Sequence, residues 1–144
     1  MSLASIYYHT IHHINSRDYN EAQINVWASY YDQNQPHKWQ SRFDRTKPFV
    51  AQIETQIVGF AEFEPTGHID CFYVHHAYQG QKIGSALMDA IFKRAHQKNI
   101  HRIFAEVSIT AQPFFALKGF KTIKKQKVTL NGITLENFVM EVLL

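Results

Sequence analysis

The sequence predicts an α/β fold of the α+β kind, a mixed sheet with helices packed on its faces, and three observations lead there. Residues before Pro48 carry apolar side chains at helical spacing, whereas Phe49 onward turns to short apolar and alternating runs. A strand, a glycine-containing loop and a strongly periodic helix follow one another between Ile69 and Lys98. Near the end, Asn131-Gly132 sits between two long β-like runs, the strongest two-residue hairpin signal known.

Taken in order, Ile6, Tyr7, Thr10, Ile11 and Ile14 recur at helical spacing between Ser2 and about Asn15. Asn20-Glu21-Ala22-Gln23 opens a second helix, with Asn20 as N-cap and Gln23 completing a capping box. Ile24, Trp27 and Tyr31 form its apolar face, and a third short helix surrounds Trp39 and Phe43. Phe49 to Ile53 and Gln56 to Phe63 read as strands about a Glu54-Thr55 turn. After Pro65-Thr66-Gly67, His68 to Val74 reads as the next strand. From Gly84 to Lys98 the stripe Leu87, Met88, Ile91, Phe92 and Ala95 marks a core-facing helix. Ile103 to Val107 is a short buried strand, Ala111 to Lys118 a short helix ending at Gly119, and Phe120 to Leu130 with Ile133 to Val142 the hairpin.

The chain's 144 residues suit one domain, 1–144, with no repeat or linker to divide it. Cys71 is the single cysteine, so no internal disulfide is possible and a reducing, cytoplasmic setting is expected. No run reaches the roughly 18 apolar residues of a membrane span. A net charge of +3 is too small to imply nucleic-acid binding. The local excess Lys118, Lys121, Lys124, Lys125 and Lys127 reads as a solvated strand face, or as guidance for an anion if a phosphate site lies nearby. His9 and His13 stand at i, i+4, a spacing that can bind zinc, but no third ligand is evident and no metal is expected. The adjacent pairs His12-His13 and His75-His76 are expected not to share a face.

Chemistry concentrates between Ile69 and Leu87. The loop Tyr78-Gln79-Gly80-Gln81-Lys82-Ile83-Gly84 enters a helix N-terminus, where unpaired backbone N–H groups and the positive end of the helix dipole suit phosphate oxygens. This stretch resembles the coenzyme-A-binding signature Q/R-x-x-G-x-G/A of the GNAT acetyltransferase superfamily. Ser108 through Ala111, Phe114, Phe115 and Gly119-Phe120 resembles the family's second signature, N-x-x-A-x-x-F-Y-x-x-x-G-F. Val58-Gly59-Phe60 matches the usual preceding strand, so the similarity runs from about Pro48 to Leu144. Asp18-Tyr19 with Gln23 and Trp27 resembles a branch of small uncharacterised bacterial members.

The resemblance implies a mostly antiparallel sheet with helices on both faces, and an N-acetyltransferase that moves the acetyl group of acetyl-coenzyme A to a primary amine by direct attack. The acceptor would be a small molecule or a peptide. It implies a cofactor site made of Phe72, Val74, Gln79, Gly80, Gln81, Lys82, Ile83, Gly84, Ser85, Ser108, Phe114, Phe115 and Lys118. Three positions depart from the pattern. Lys82 replaces the inner glycine, Ser108 the asparagine, and Phe115 the tyrosine that protonates the departing thiolate. The family's first strand has no counterpart ahead of the first helix, and is expected to be absent or to lie before Met1. An alkylamine, with a pKa of about 10, needs a base, whereas a thiol near 8.5 leaves readily, so loss of the tyrosine costs about 10²-fold. Asp70 is the first candidate base and Glu62 the second, both through water; Tyr73 is the substitute acid. Glu64 and Glu106 are further carboxylates on the central strands. Tyr7, Tyr8, Tyr30, Tyr31, Trp27, Trp39 and His37 would line the acceptor pocket, an aromatic setting suited to a cation. The alternative is a non-catalytic acyl-coenzyme-A-binding sensor or interaction module; a homodimer is left open.

Overall fold

The computed structural model describes residues 2–29 and 36–144. Its elements are α1 (Leu3–His13), α2 (Glu21–Ala28), α3 (Pro36–Thr46), β1 (Phe49–Ile53), β2 (Gln56–Phe63), β3 (His68–Val74), α4 (Ile83–Gln97), β4 (Arg102–Ser108), α5 (Gln112–Leu117), β5 (Lys121–Leu130) and β6 (Ile133–Leu143). Short 3₁₀ turns at Asn15–Arg17 and His76–Tyr78 complete the path. The six strands form one sheet in the order β1-β2-β3-β4-β6-β5, and every neighbouring pair is antiparallel except β3 with β4. Among the described residues no strand precedes α1, so β1 and β5 are the sheet edges.

Local chemistry explains the boundaries. The capping box of α2 is formed, with the Gln23 amide donating to Asn20 Oδ1 and the Asn20 amide to Gln23 Oε1, both at 2.9 Å. The stripe on α4 is buried through Leu87, Met88, Ile91 and Ala95, with Phe92 packed at its margin. Fully burying a Leu, Ile or Met there contributes about 1.5–3 kcal/mol each. With α5 and Phe120 that stripe builds one core layer on one face of the sheet. On the opposite face Ile6, Tyr7 and Ile11 of α1, Ile24 and Ala28 of α2, and Trp39 of α3 pack on Phe60, Cys71 and Leu135. Tyr31 lies outside the described residues.

Two irregularities in β3 position everything that follows. First, β3 and β4 pair at only two places, His68 with Phe104 and Ile69 with Ala105, and then diverge. Second, the register of β3 against β2 jumps from Cys71 opposite Glu62 to Ile69 opposite Phe63, so Asp70 is an extra, unpaired residue. Such a bulge flips the alternation. Ile69 packs in the α4 layer, whereas Cys71, two residues on, packs in the α1–α3 layer.

The start of the β3–β4 pair is fixed by Gly67. Its φ of +96° is left-handed, and a Cβ there would stand 2.0 Å from the Arg102 carbonyl oxygen. The Phe104 amide closes the corner by donating to the Gly67 carbonyl at 3.0 Å. Gly67→Ala therefore combines backbone strain with a collision against backbone. It is expected to lower unfolding stability by about 3 kcal/mol or more, read as a drop in the denaturant midpoint.

Candidate functional site

Where β3 and β4 part, a cleft of about 420 Å³ opens between the Val74 and Val107 strand ends. Phe72 and Val74 of β3, Val107 and Ser108 of β4, and Phe114 and Phe115 of α5 form its walls. Gln79, Gly80, Lys82, Ile83, Gly84 and Ser85 form one end. Eleven of the thirteen residues expected around a cofactor thus line one cavity. The two others, Gln81 and Lys118, lie outside the lining; Lys118 instead holds its ammonium 5.7 Å over the Phe114 ring.

The loop end is built for an anion. The helix α4 begins with Ile83, so the amides of Ile83, Gly84 and Ser85 have no acceptor within the helix, and the first in-helix bond is Ala86 N–H to the Lys82 carbonyl at 3.1 Å. Gly80 takes φ +77° and leaves open space where a side chain would stand. Gly84 faces Phe114, and a Cβ there would lie 3.2 Å from its ring. Gln79 lines the cleft, but its side-chain amide is spent on the Val74 carbonyl at 2.8 Å, which ties the loop to the strand end. Lys82 adopts a left-handed φ of 63° as the N-cap, a conformation that a glycine would take at no steric cost.

A second cavity of about 610 Å³ opens beside the first, lined by Tyr7, Trp27, Arg42, Asp70, Cys71, Tyr73 and the hairpin tip at Thr129–Asn131. Trp27, Asp70 and Tyr73 line both cavities. The bulge places Asp70 at this junction, about half exposed, with burial lifting its pKa, the Glu62 carboxylate adding to the rise and Arg42 opposing it. Burial likewise pushes the Tyr73 hydroxyl well up, with Tyr7 adding to it, so it stays protonated. The Trp27 side chain works against that rise.

Glu62 departs from expectation. It is fully buried outside the cleft, and Arg42 grips both its oxygens: Nε at 3.0 Å from each and Nη2 at 2.6 Å from Oε1. Thr46 donates to Oε2 at 2.6 Å. Burial raises its pKa, but these hydrogen bonds and the Arg42 charge outweigh burial and leave it low. An ionised, fully bonded carboxylate with no route to the cleft is ill suited to take a proton. Cys71 is buried beside it, and burial raises its thiol far above the reactive range.

The remaining expectations divide. Tyr7 and Trp27 line the second cavity, but Trp39 is core, His37 is exposed, Tyr8 rests on His12 with ring centres 4.4 Å apart, and Tyr30 and Tyr31 lie outside the described residues. Glu106 lines the cleft, and Glu64 and Glu106 flank His68 at 2.6 Å each. His75 and His76 do share a face: their rings stack at 4.6 Å, and His76 also stacks on His13 at 4.2 Å. The backbone turns into a 3₁₀ helix there, so strand alternation no longer separates them. Thr10, which donates to the Val74 carbonyl, and Asn15, 3.4 Å from Ser108 Oγ, also line the cleft. Both belong to the N-terminal helical region, and only the tertiary fold brings them here.

Residues 15–142 match the family described as the acetyltransferase (GNAT) domain. The chain is 30% identical over 138 residues to the uncharacterized N-acetyltransferase YafP of Escherichia coli (strain K12), spanning 96% of this chain and 85% of that one. It superposes with a TM-score of 0.91 on a GCN5-related N-acetyltransferase, titled aminotransferase, class-II, from Rhodopseudomonas palustris, at 32% identity over 99% of this chain and 88% of the other. The PaiA N-acetyltransferase of Thermoplasma acidophilum, solved with coenzyme A, shares the fold at a TM-score of 0.75 and 19% identity, over 99% of this chain and 91% of that one.

The strained backbone at Lys82 gives a prediction with two signs. Lys82→Gly relieves a left-handed penalty of about 1–2 kcal/mol and costs about 0.5–1 in chain entropy, so unfolding stability rises by roughly 1 kcal/mol. Affinity for a diphosphate ligand falls about tenfold because the ammonium is lost. Urea unfolding and a pyrophosphate competition measure the two.

Proposed function

The chain belongs to the GNAT acetyltransferase family, and from that premise we propose that it transfers an acetyl group from acetyl-coenzyme A to a primary amine by direct attack. The observation that carries the proposal is the junction at Asp70, where a cavity suited to a cofactor meets a second cavity suited to an acceptor. Acetyl-coenzyme A supplies the acyl group as a thioester. The amides of Ile83, Gly84 and Ser85, with the Lys82 ammonium, would hold the diphosphate. Phe72, Val74, Phe114 and Phe115 flank the pantetheine path in the β3–β4 gap, and Ser108 closes its far wall. The acceptor enters through the second cavity, between Tyr7, Trp27 and Tyr73, an aromatic lining that favours a protonated amine.

Asp70, rather than Glu62, is the base: it faces both cavities, and its raised pKa brings it nearer to that of the proton it must take through water. The freed amine forms a bond to the carbonyl carbon, the carbon–sulfur bond breaks, Tyr73 gives its proton to the departing sulfur, and the surplus proton on the new amide nitrogen returns through water to the Tyr73 oxygen. Phe115 cannot do this, being a buried ring packed on Phe120 at 5.0 Å. Among the described residues no helix is long and apolar enough to cross a membrane, and the lone buried thiol suits a cytoplasmic setting.

Acetyl transfer from acetyl-coenzyme A to a panel of small amines and amino-terminal peptides tests the reading. The wild type is expected to turn over at least one class. Asp70→Asn should lower kcat by about 10²-fold with coenzyme A affinity unchanged. Tight cofactor binding without transfer to any amine would instead identify an acyl-coenzyme-A sensor.

A further inference from the structure

Arg42 hydrogen-bonds both Glu62 and Asp70. Its guanidinium presents N–H donors in a rigid planar fork. Nε and Nη2 clasp Glu62, and Nη2 also reaches Asp70 Oδ2 at 2.8 Å and Cys71 Sγ at 3.2 Å. Thr46, one turn further along α3, donates to Glu62 Oε2, so a single helix holds the buried carboxylate from two points. Glu62 and Cys71 face each other across the β2–β3 ladder, and the bulge at Asp70 is the neighbouring residue. The guanidinium is thus anchored on the regular part of the ladder and grips its irregular part. Among the described residues, the charged and titratable groups around Asp70 are Arg42 from α3, Glu62 from β2 and Glu64 just beyond it, His68, Cys71 and Tyr73 from its own strand, Glu106 from β4 beyond His68, and Tyr7 from α1 beside Tyr73.

We propose that Arg42 is the positioning residue of the reaction: braced on Glu62, it holds Asp70 Oδ2 and leaves Oδ1 facing the junction of the two cavities. This rests on the reading of Asp70 as the base. The arrangement has a physical logic. Two adjacent carboxylates without a cation would repel, so one would protonate and the bulged strand would lose its orientation. A lone cation without Glu62 would pair so closely with Asp70 that the base would be too weak. With both, Asp70 is held in place by a hydrogen bond yet keeps enough basicity to accept a proton. A lysine would carry the charge but cannot bridge two carboxylates in fixed geometry.

The pH dependence of kcat/KM for the acceptor tests this, because its acid limb follows ionisation of the base. Arg42→Gln removes the cation and should move that limb to higher pH by about half a unit or more; Glu62→Gln removes the like charge and should move it to lower pH by a similar amount. Opposite displacements are not produced by general loosening of the fold. Arg42→Lys, which keeps the charge, should leave the limb in place while kcat falls about tenfold and the KM for acetyl-coenzyme A holds. It also serves if either glutamine variant fails to fold. Unmoved limbs, displacements of the same sign, or an Arg42→Lys enzyme with wild-type kcat would overturn the proposal. If Asp70→Asn alone retains full turnover, the base assignment fails and this inference with it. If Asp70→Asn is inactive but the limbs stay put, the base stands and only the role of Arg42 falls.

Discussion

Two residue pairs, His68 with Phe104 and Ile69 with Ala105, are the whole of the ladder that joins the two halves of the sheet. Past them each backbone follows its own antiparallel partner, β3 toward β2 and β4 toward β6, and the right-handed twist of strands drives them apart. The pairing is pinned at its start by Gly67 and covered on one face by α4. A cleft with strand ends for walls and a helix N-terminus at one end is the geometric consequence. Strand backbone left without a ladder partner is one cost of that opening. Part of it is met by Thr10 and Gln79, whose side chains both donate to the Val74 carbonyl.

The bulge at Asp70 works on the same strand to a different end. Regular alternation would place Asp70 toward the α4 layer, because its neighbour Cys71 faces α1–α3. The additional residue frees Asp70 from the ladder and sets it at the cavity junction, while Glu62, in regular register, is drawn under α3 and neutralised by Arg42. Two acidic residues on adjacent strands therefore have separate roles, one in holding the sheet to a helix and one facing solvent where chemistry is proposed.

Much of this was legible in the residues. Asn131-Gly132, the Asn20–Gln23 box and the Leu87–Ala95 stripe are local signals whose physics does not depend on the rest of the chain, and each element formed where they placed it. The loop proposed to hold phosphate was legible as a glycine-containing turn into α4 for the same reason, since its glycines and helix start are contiguous. What could not be read are relations between distant segments. Nothing near Arg42 announces that its partners lie 20 and 28 residues away, and a bulge of one residue leaves no mark in the sequence Ile69-Asp70-Cys71. The stacking of His75 on His76 was hidden because strand alternation was extended one residue too far, into a 3₁₀ turn.

The three departures from the family pattern gain a common reading in this frame. Lys82 accepts backbone strain at the start of α4, Ser108 holds the turn into α5 by accepting from the Ala111 amide at 3.1 Å, and Phe115 leaves the proposed acid role to Tyr73. All three leave the amide-lined loop intact, and the account depends on that loop gripping a diphosphate. Calorimetric titration of the protein with coenzyme A and, separately, with pantetheine, which lacks the diphosphate, tests it most directly. The account predicts measurable heat and tight binding for coenzyme A and at least about 100-fold weaker binding for pantetheine. Equal affinities, or no heat from coenzyme A, would contradict it.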